Sequence, residues 1–302
     1  MKKIFLFFPV FAISLFSHES QGTVILYKVG FYSVSDSKES LELVQHMKAQ
    51  IVSAKRAIPI LQTHYTLPQP LAWDGNSEPD ETTKTFLKNL ESCDKIIIVN
   101  LSGSNFQIQL ADVMSGKLEY KNSLPESLRK TLIQDFYSYM DKKNVYLALS
   151  QTKSNSGSSL KFHSLKTKYV SGEPIRFELE TTEDNFVYVV LISDKRGEDP
   201  VLLFPNPSQG NNFLKKGEKI IIPSETKSFV ASPPFGKDKL RAFASKEEWK
   251  GFQLRGGKED TFYKLFPPAI TSSKSGNPQE VLAKNLNSAS VLEWEFEVSP
   301  VN

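Results

Sequence analysis

The 302-residue chain is predicted to be a multidomain α+β protein, an α/β layer domain followed by an antiparallel β-sandwich. Three observations predict it. Residues 23–149 combine apolar residues at three- and four-residue spacing with short apolar runs, in the order β-α-α-β-β-β-α. Residues 160–302 break into short segments separated by Pro and Gly turns. Between them, residues 150–159 carry no apolar side chain and read as a linker; a long hairpin loop is the alternative.

Residues 1–22 stand apart from both domains. Met1-Lys2-Lys3 is basic, Ile4 to Phe16 is apolar apart from Pro9 and Ser14, and Ser20 and Gly22 are small residues of the kind a signal peptidase reads. This is the pattern of a secretory signal peptide, and the apolar run is short for a membrane span. No cysteine stands near the cleavage point to carry a lipid. A periplasmic or secreted protein, with no integral span after cleavage, is therefore expected. Cys93 is the one cysteine, so no intrachain disulfide is possible.

In the first domain, residues 23–29 read as a strand. Ser37 or Ser40 can cap a helix whose stripe is Leu41, Val44, Met47, Ile51, Ala54 and Ile58, ending before Pro59. A Pro-containing loop covers residues 63–79, and a second helix covers 81–92. Residues 95–101 form a buried strand, residues 106–113 alternate and so have one wet face, and a third strand starts at Leu118. Pro125 opens a last helix, to Met140, with Leu128, Leu132, Phe136 and Tyr139 on one side.

The second domain centres on a hairpin. Phe186 to Ile192 is nearly continuous in apolar character, so both its faces are expected to be covered. A polar turn at 194–199 leads into Val201-Leu202-Leu203-Phe204, which stops at Pro205-Asn206-Pro207. Ile175, Phe177 and Leu179 alternate inward on the strand before it, and strands at 219–223, 228–231 and 238–245 follow. Residues 278–286 fit a helix. Leu292, Trp294, Phe296 and Val298 share one face of a final strand.

Two resemblances add to this. The run from Cys93 to Leu118 has a helix leading into a buried strand, then a Gly-Ser turn. An alternating strand follows, ending in Asp112-Val113-Met114-Ser115-Gly116. It resembles the TolB amino-terminal-like domains, which implies a non-catalytic envelope module acting through protein contacts. Residues 160–246 carry Tyr169-x-x-Gly172-Glu173, a strand with Tyr188, Leu203-Phe204-Pro205-Asn206, Gly217, Ile222-Pro223, Pro234-x-Gly236 and Leu240-x-Ala242-x-Ala244-Ser245. They are similar to the bacterial domain-of-unknown-function family 4384. That likeness implies an immunoglobulin-like sandwich, found in exported proteins and beside peptidase or kinase domains, with no catalytic residue assigned.

Motifs for chemistry are missing. A net charge of +3 with no basic stripe argues against nucleic acid as a partner. There is no phosphate loop and no nucleophile elbow. Cys93 lacks the context of a caspase-like nucleophile and reads as a buried thiol. His46, His64 and His163 lack metal-ligand spacing, so no metal or cofactor is expected. The acidic turn at 194–199 lacks the spacing of a calcium loop. Trp249, Phe252, Arg255, Phe262 and Tyr263 lie among lysines and suggest an interaction surface, against a packed irregular segment as the plainer reading. The expectation is a non-enzymatic envelope protein that binds another envelope protein. The alternatives are a surface-exposed ligand- or matrix-binding protein and an enzyme with a site between the domains.

Overall fold

The computed structural model describes residues 26–34, 36–60, 80–90, 92–153, 159–193, 200–224, 229–250, 252–255, 262–266 and 278–301. The expected signal peptide, the loop at 63–79 with His64, and the acidic turn at 194–199 lie outside these residues.

The amino half is one five-stranded sheet. Its elements are β1 (Lys28–Ser33), α1 (Lys38–Ser53), β2 (Ile58–Pro59), α2 (Glu81–Lys88), β3 (Lys95–Ser102), β4 (Asn105–Asp112), β5 (Leu118–Pro125) and α3 (Arg129–Gln151). The strand order is β2-β1-β3-β4-β5, with β1 parallel to both neighbours and the rest antiparallel. Strand alternation distributes the core. Val29, Phe31, Ile97 and Val99 meet Val44, Met47 and Ile51 of α1 and Leu132, Phe136 and Met140 of α3. Tyr32, Ile96 and Ile98 face the other way, toward Leu87 and Cys93. With both faces covered, the run Ile96 to Val99 can be wholly apolar. Ser37 caps α1 by accepting from the Ser40 amide at 3.2 Å, and Asp80 caps α2 by accepting from the Thr83 amide at 2.7 Å.

Several details differ from expectation, among them the second helix, which ends at Lys88 and not at 92. Of the first strand expected at 23–29, residues 23–25 lie outside the described set; the described strand is Lys28–Ser33, where Val29 to Ser33 pairs with β3. Leu43 replaces Leu41 on the buried stripe of α1, and Ile58 is exposed. The last helix is much longer than 125–140. It runs to Gln151, so Ser150 and Gln151 are helical and do not belong to a linker; residues 154–158 lie outside the described set.

The carboxy half holds β6 (Leu160–His163), β7 (Lys168–Val170), β8 (Pro174–Ile175), β9 (Phe177–Thr181), β10 (Asn185–Ile192), β11 (Val201–Phe204), β12 (Phe213–Leu214), β13 (Lys219–Ile222), β14 (Phe229–Val230), β15 (Gly236–Ser245), β16 (Gln253–Arg255), β17 (Tyr263–Phe266), α4 (Pro278–Asn287) and β18 (Ser290–Ser299). The large sheet runs β16-β17-β11-β10-β15-β18-β7, with β12 also on β10; β13-β9-β6 and β14-β8 form two small sheets. The predicted hairpin is present as antiparallel β10 and β11.

Both faces of the large sheet are covered. Val187 and Val189 of β10, Leu240 and Ala242 of β15 and Phe296 of β18 pack toward the small sheets, with Phe177, Leu179 and Ile222. Tyr188, Val190, Phe243 and Val291 pack on the opposite side. There they meet Leu286 of α4 and Val145, Tyr146, Ala148 and Leu149, the second half of α3. One helix thus serves both halves. Arg241, buried on β15, donates to the carbonyls of Leu149 and Thr152 at its end and pairs with Glu293 at 3.1 Å. These donors answer carbonyls that a helix terminus leaves unpaired. No helix among the described residues is long and apolar enough to cross a membrane.

Candidate functional site

The turn after β11 is built by side-chain bonding. Asn206 is fully buried; its amide donates to the Leu203 carbonyl at 2.9 Å, and its oxygen accepts from the amides of Ser208 and Gln209 at 3.0 and 2.9 Å. Gln209 then donates to the Ile221 carbonyl at 2.8 Å and accepts from the Ser224 amide at 2.9 Å. The Leu-Phe-Pro-Asn stop therefore staples β11 to β13. This is a structural role.

A second turn holds a wall of a cavity. Gly172 takes φ +87°, a conformation that favours glycine. Its amide donates to the Ala231 carbonyl at 2.8 Å, and the Ala231 amide donates to the Glu173 carbonyl at 2.9 Å. Glu173 also pairs with Lys166 and accepts from the Val170 amide at 3.0 Å. Beside it Tyr169 meets Phe296 edge to face, with ring centroids 5.5 Å apart.

A cavity of about 230 Å³ has Leu203, bonded by Asn206, and Ala231, bonded by Gly172, in its wall. Leu191, Val201 and Leu203 line it from the central hairpin, Ile175 and residues 229–232 from the small sheet, and Asp238, Leu240, Phe296 and Val298 from β15 and β18. Val230 and Phe262, 50% and 37% exposed, form its mouth. Asp238 shares the inward phase of β15 with Leu240 and Ala242, and is only 3% exposed. Among the described residues its carboxylate has no hydrogen bond and no ion pair. It is also the one titratable side chain on the described lining. A small apolar space with one fixed charge is a binding geometry. General acid–base chemistry takes a second positioned group.

The densest set of buried charges lies elsewhere, at the end of the amino sheet. The Lys95 ammonium contacts Asp112 at 2.8 Å and Glu119 at 2.6 Å, and Lys143 of α3 reaches Glu119 at 3.3 Å. Burial pushes the Asp112 carboxyl up, but hydrogen bonds from Lys95 and Ser115 outweigh it, and the net shift is down. Burial lowers Lys143 despite the opposing pull of Glu119. Burial, with Glu119 next, holds the Tyr27 hydroxyl well above its ordinary range. Arg56 and Asp141 add a buried two-bond pair at 2.8 and 3.0 Å. Two lysines face two carboxylates, and the cluster fastens α3 to the sheet.

The residues singled out from the sequence fall in different places. Trp249 is buried; its ring stacks on Tyr188 with centroids 4.1 Å apart and planes 6° apart, and its amide donates to the Tyr188 hydroxyl at 2.7 Å. Phe252 and Tyr263 pack half-buried against that same core, on the helix-covered face. Phe262 is at the cavity mouth instead, and Arg255 is on β16, paired through its backbone with Lys264. Trp249 thus belongs to the core, and Phe262 stands apart from Phe252 and Tyr263. Cys93 is buried, accepting from the Gly30 amide at 3.1 Å and donating to the Lys95 carbonyl at 2.7 Å; burial pushes its thiol up to about 11. His46 bonds Gln50, and His163 bonds Glu180 at 3.1 Å. No group of side chains suited to a metal occurs among the described residues.

Sequence reasoning missed Asp238. The signal was present: an acidic residue on the inward phase of an alternating strand, at a position where a core residue belongs. No curated protein matches the chain. Residues 168–248, which supply the described cavity lining except Phe262, Phe296 and Val298, match the family model of a domain of unknown function (DUF4384).

Proposed function

We propose that the chain is an exported, non-enzymatic protein of a bacterial envelope that acts as a binding or assembly module through contact with another envelope protein. The cavity carries this reading. Its described wall is apolar apart from Ser232 and the single carboxylate of Asp238, and its mouth presents Val230 and Phe262 to solvent. Two lining residues, Leu203 and Ala231, are held by hydrogen bonds from Asn206 and Gly172, and a wall fixed in advance lowers the ordering cost of binding. The basic and apolar start of the chain supports export. In this reading the carboxy half is an immunoglobulin-like sandwich and the amino half a TolB-amino-terminal-like domain, both suited to contact.

Photo-crosslinkers placed at Val230 and Phe262 in living cells test it, with one at exposed His46 on α1 as the control. The expected result is one reproducible protein adduct from the mouth positions and not from the control. Identical adducts from all three, or self-links alone, would overturn the reading. Sequencing the amino terminus of the native protein tests export: the expected start follows Gly22, and an intact leader on cytoplasmic protein would refute it.

A further inference from the structure

We infer that the cavity selects a small organic cation: an ammonium group on an apolar body of roughly ten non-hydrogen atoms. This rests on the reading of the cavity as a binding site and adds the chemical class of what enters it. Size sets one limit. A cavity of about 150 Å³ accepts benzene, and the space here is about 230 Å³. It is below the usual range for drug-sized ligands, roughly 300–1,000 Å³. Charge sets the other. Asp238 is buried, faces the cavity and lacks a partner among the described residues. A carboxylate withdrawn from water is unfavourable unless a cation or donors meet it. Leu191, Leu203, Leu240 and Phe296 offer a visiting molecule only apolar contact. An ammonium at Asp238 with a hydrocarbon stem toward the mouth satisfies both demands. A carboxylate ligand would set two like charges together, and a neutral one would leave Asp238 unanswered.

The test uses the full chain and three probes of equal length: n-hexylammonium, n-hexanol and n-hexanoate, followed by calorimetric or NMR titration. Hexylammonium is expected to bind at least tenfold more tightly than hexanol, and hexanoate more weakly than both. Asp238→Asn should erase the gap between ammonium and alcohol. Val230→Trp, at a half-exposed mouth position, should block both. Equal binding of ammonium and alcohol to the unaltered protein would overturn the cation inference and leave the binding-site reading standing. If none of the probes binds, the cation inference falls, and the crosslinks at Val230 and Phe262 decide the contact reading separately. If Val230→Trp changes neither affinity, the probes bind elsewhere and the inference fails. Should Asp238→Asn not fold, the ammonium-to-alcohol ratio in the unaltered protein decides by itself.

Discussion

Glu119 and Asp238 are both carboxylates removed from water on β-strands, one in each half of the molecule, and they are treated in opposite ways. Glu119 has Lys95 at 2.6 Å and Lys143 at 3.3 Å. Asp238 has Leu240 beside it on the strand and an open space before it. The amino half answers its buried charges internally and so uses them for construction. In the carboxy half, no described residue answers Asp238. Buried charge by itself is therefore a poor marker of function; buried charge without a partner, facing a cavity, is a better one.

That contrast can be broken at several points. Lys95→Met leaves Asp112 and Glu119 without their main cation, and should destabilise the protein by about 3–5 kcal/mol in chemical denaturation. A loss below about 1 kcal/mol would mean the network is not the fastening described. Cys93 tests closure in the same half. With its thiol at about 11, alkylation at pH 8 should be roughly a hundredfold slower than for a free cysteine, and should recover in denaturant. The sign follows from a folded value above the unfolded one. Its contribution to stability is full below about 9 and is lost as pH rises through about 11.

Arg241→Met removes the donors at the end of α3, and about 2 kcal/mol should be lost, with faster amide exchange near Leu149. The smallest expected change has the reverse sign. Asp238→Leu should stabilise the protein by about 1 kcal/mol, because an apolar residue suits that wall better than a lone carboxylate. A clear loss of stability from Asp238→Leu, as from Lys95→Met, would show that the two carboxylates are alike after all.

Much of the architecture was legible because alternation reports burial directly. The β10 run and the strict pattern at Ile175, Phe177 and Leu179 found their faces, as did Leu292 to Val298. The second half of α3 was not legible, for a physical reason. Asp141, Lys142, Lys143 and Asn144 interrupt the apolar pattern like the polar end of a helix. Yet Asp141, Lys143 and Asn144 are buried, held by Arg56 and Glu119. Partnered polar residues inside a core look the same in sequence as wet ones. The short strands β16 and β17 were missed because three or four residues carry too little periodicity. The aromatic cluster at 249–263 was seen as a group, but single-residue phase separates Phe262 from Tyr263, and only the fold assigns that phase.

The helix shared between the halves also sets an order of events. A chain made from its amino end completes α3 while Val145, Tyr146 and Leu149 still have nothing to lie against. Their contacts on β10 and β15, the clamp at Arg241 and the final cover at Val291 come roughly 40 to 140 residues later. Closure thus waits for the last strand. A ribosome or an export channel holding the final fifty residues would hold the molecule short of its native state, with an oily helix end available to chaperones until release.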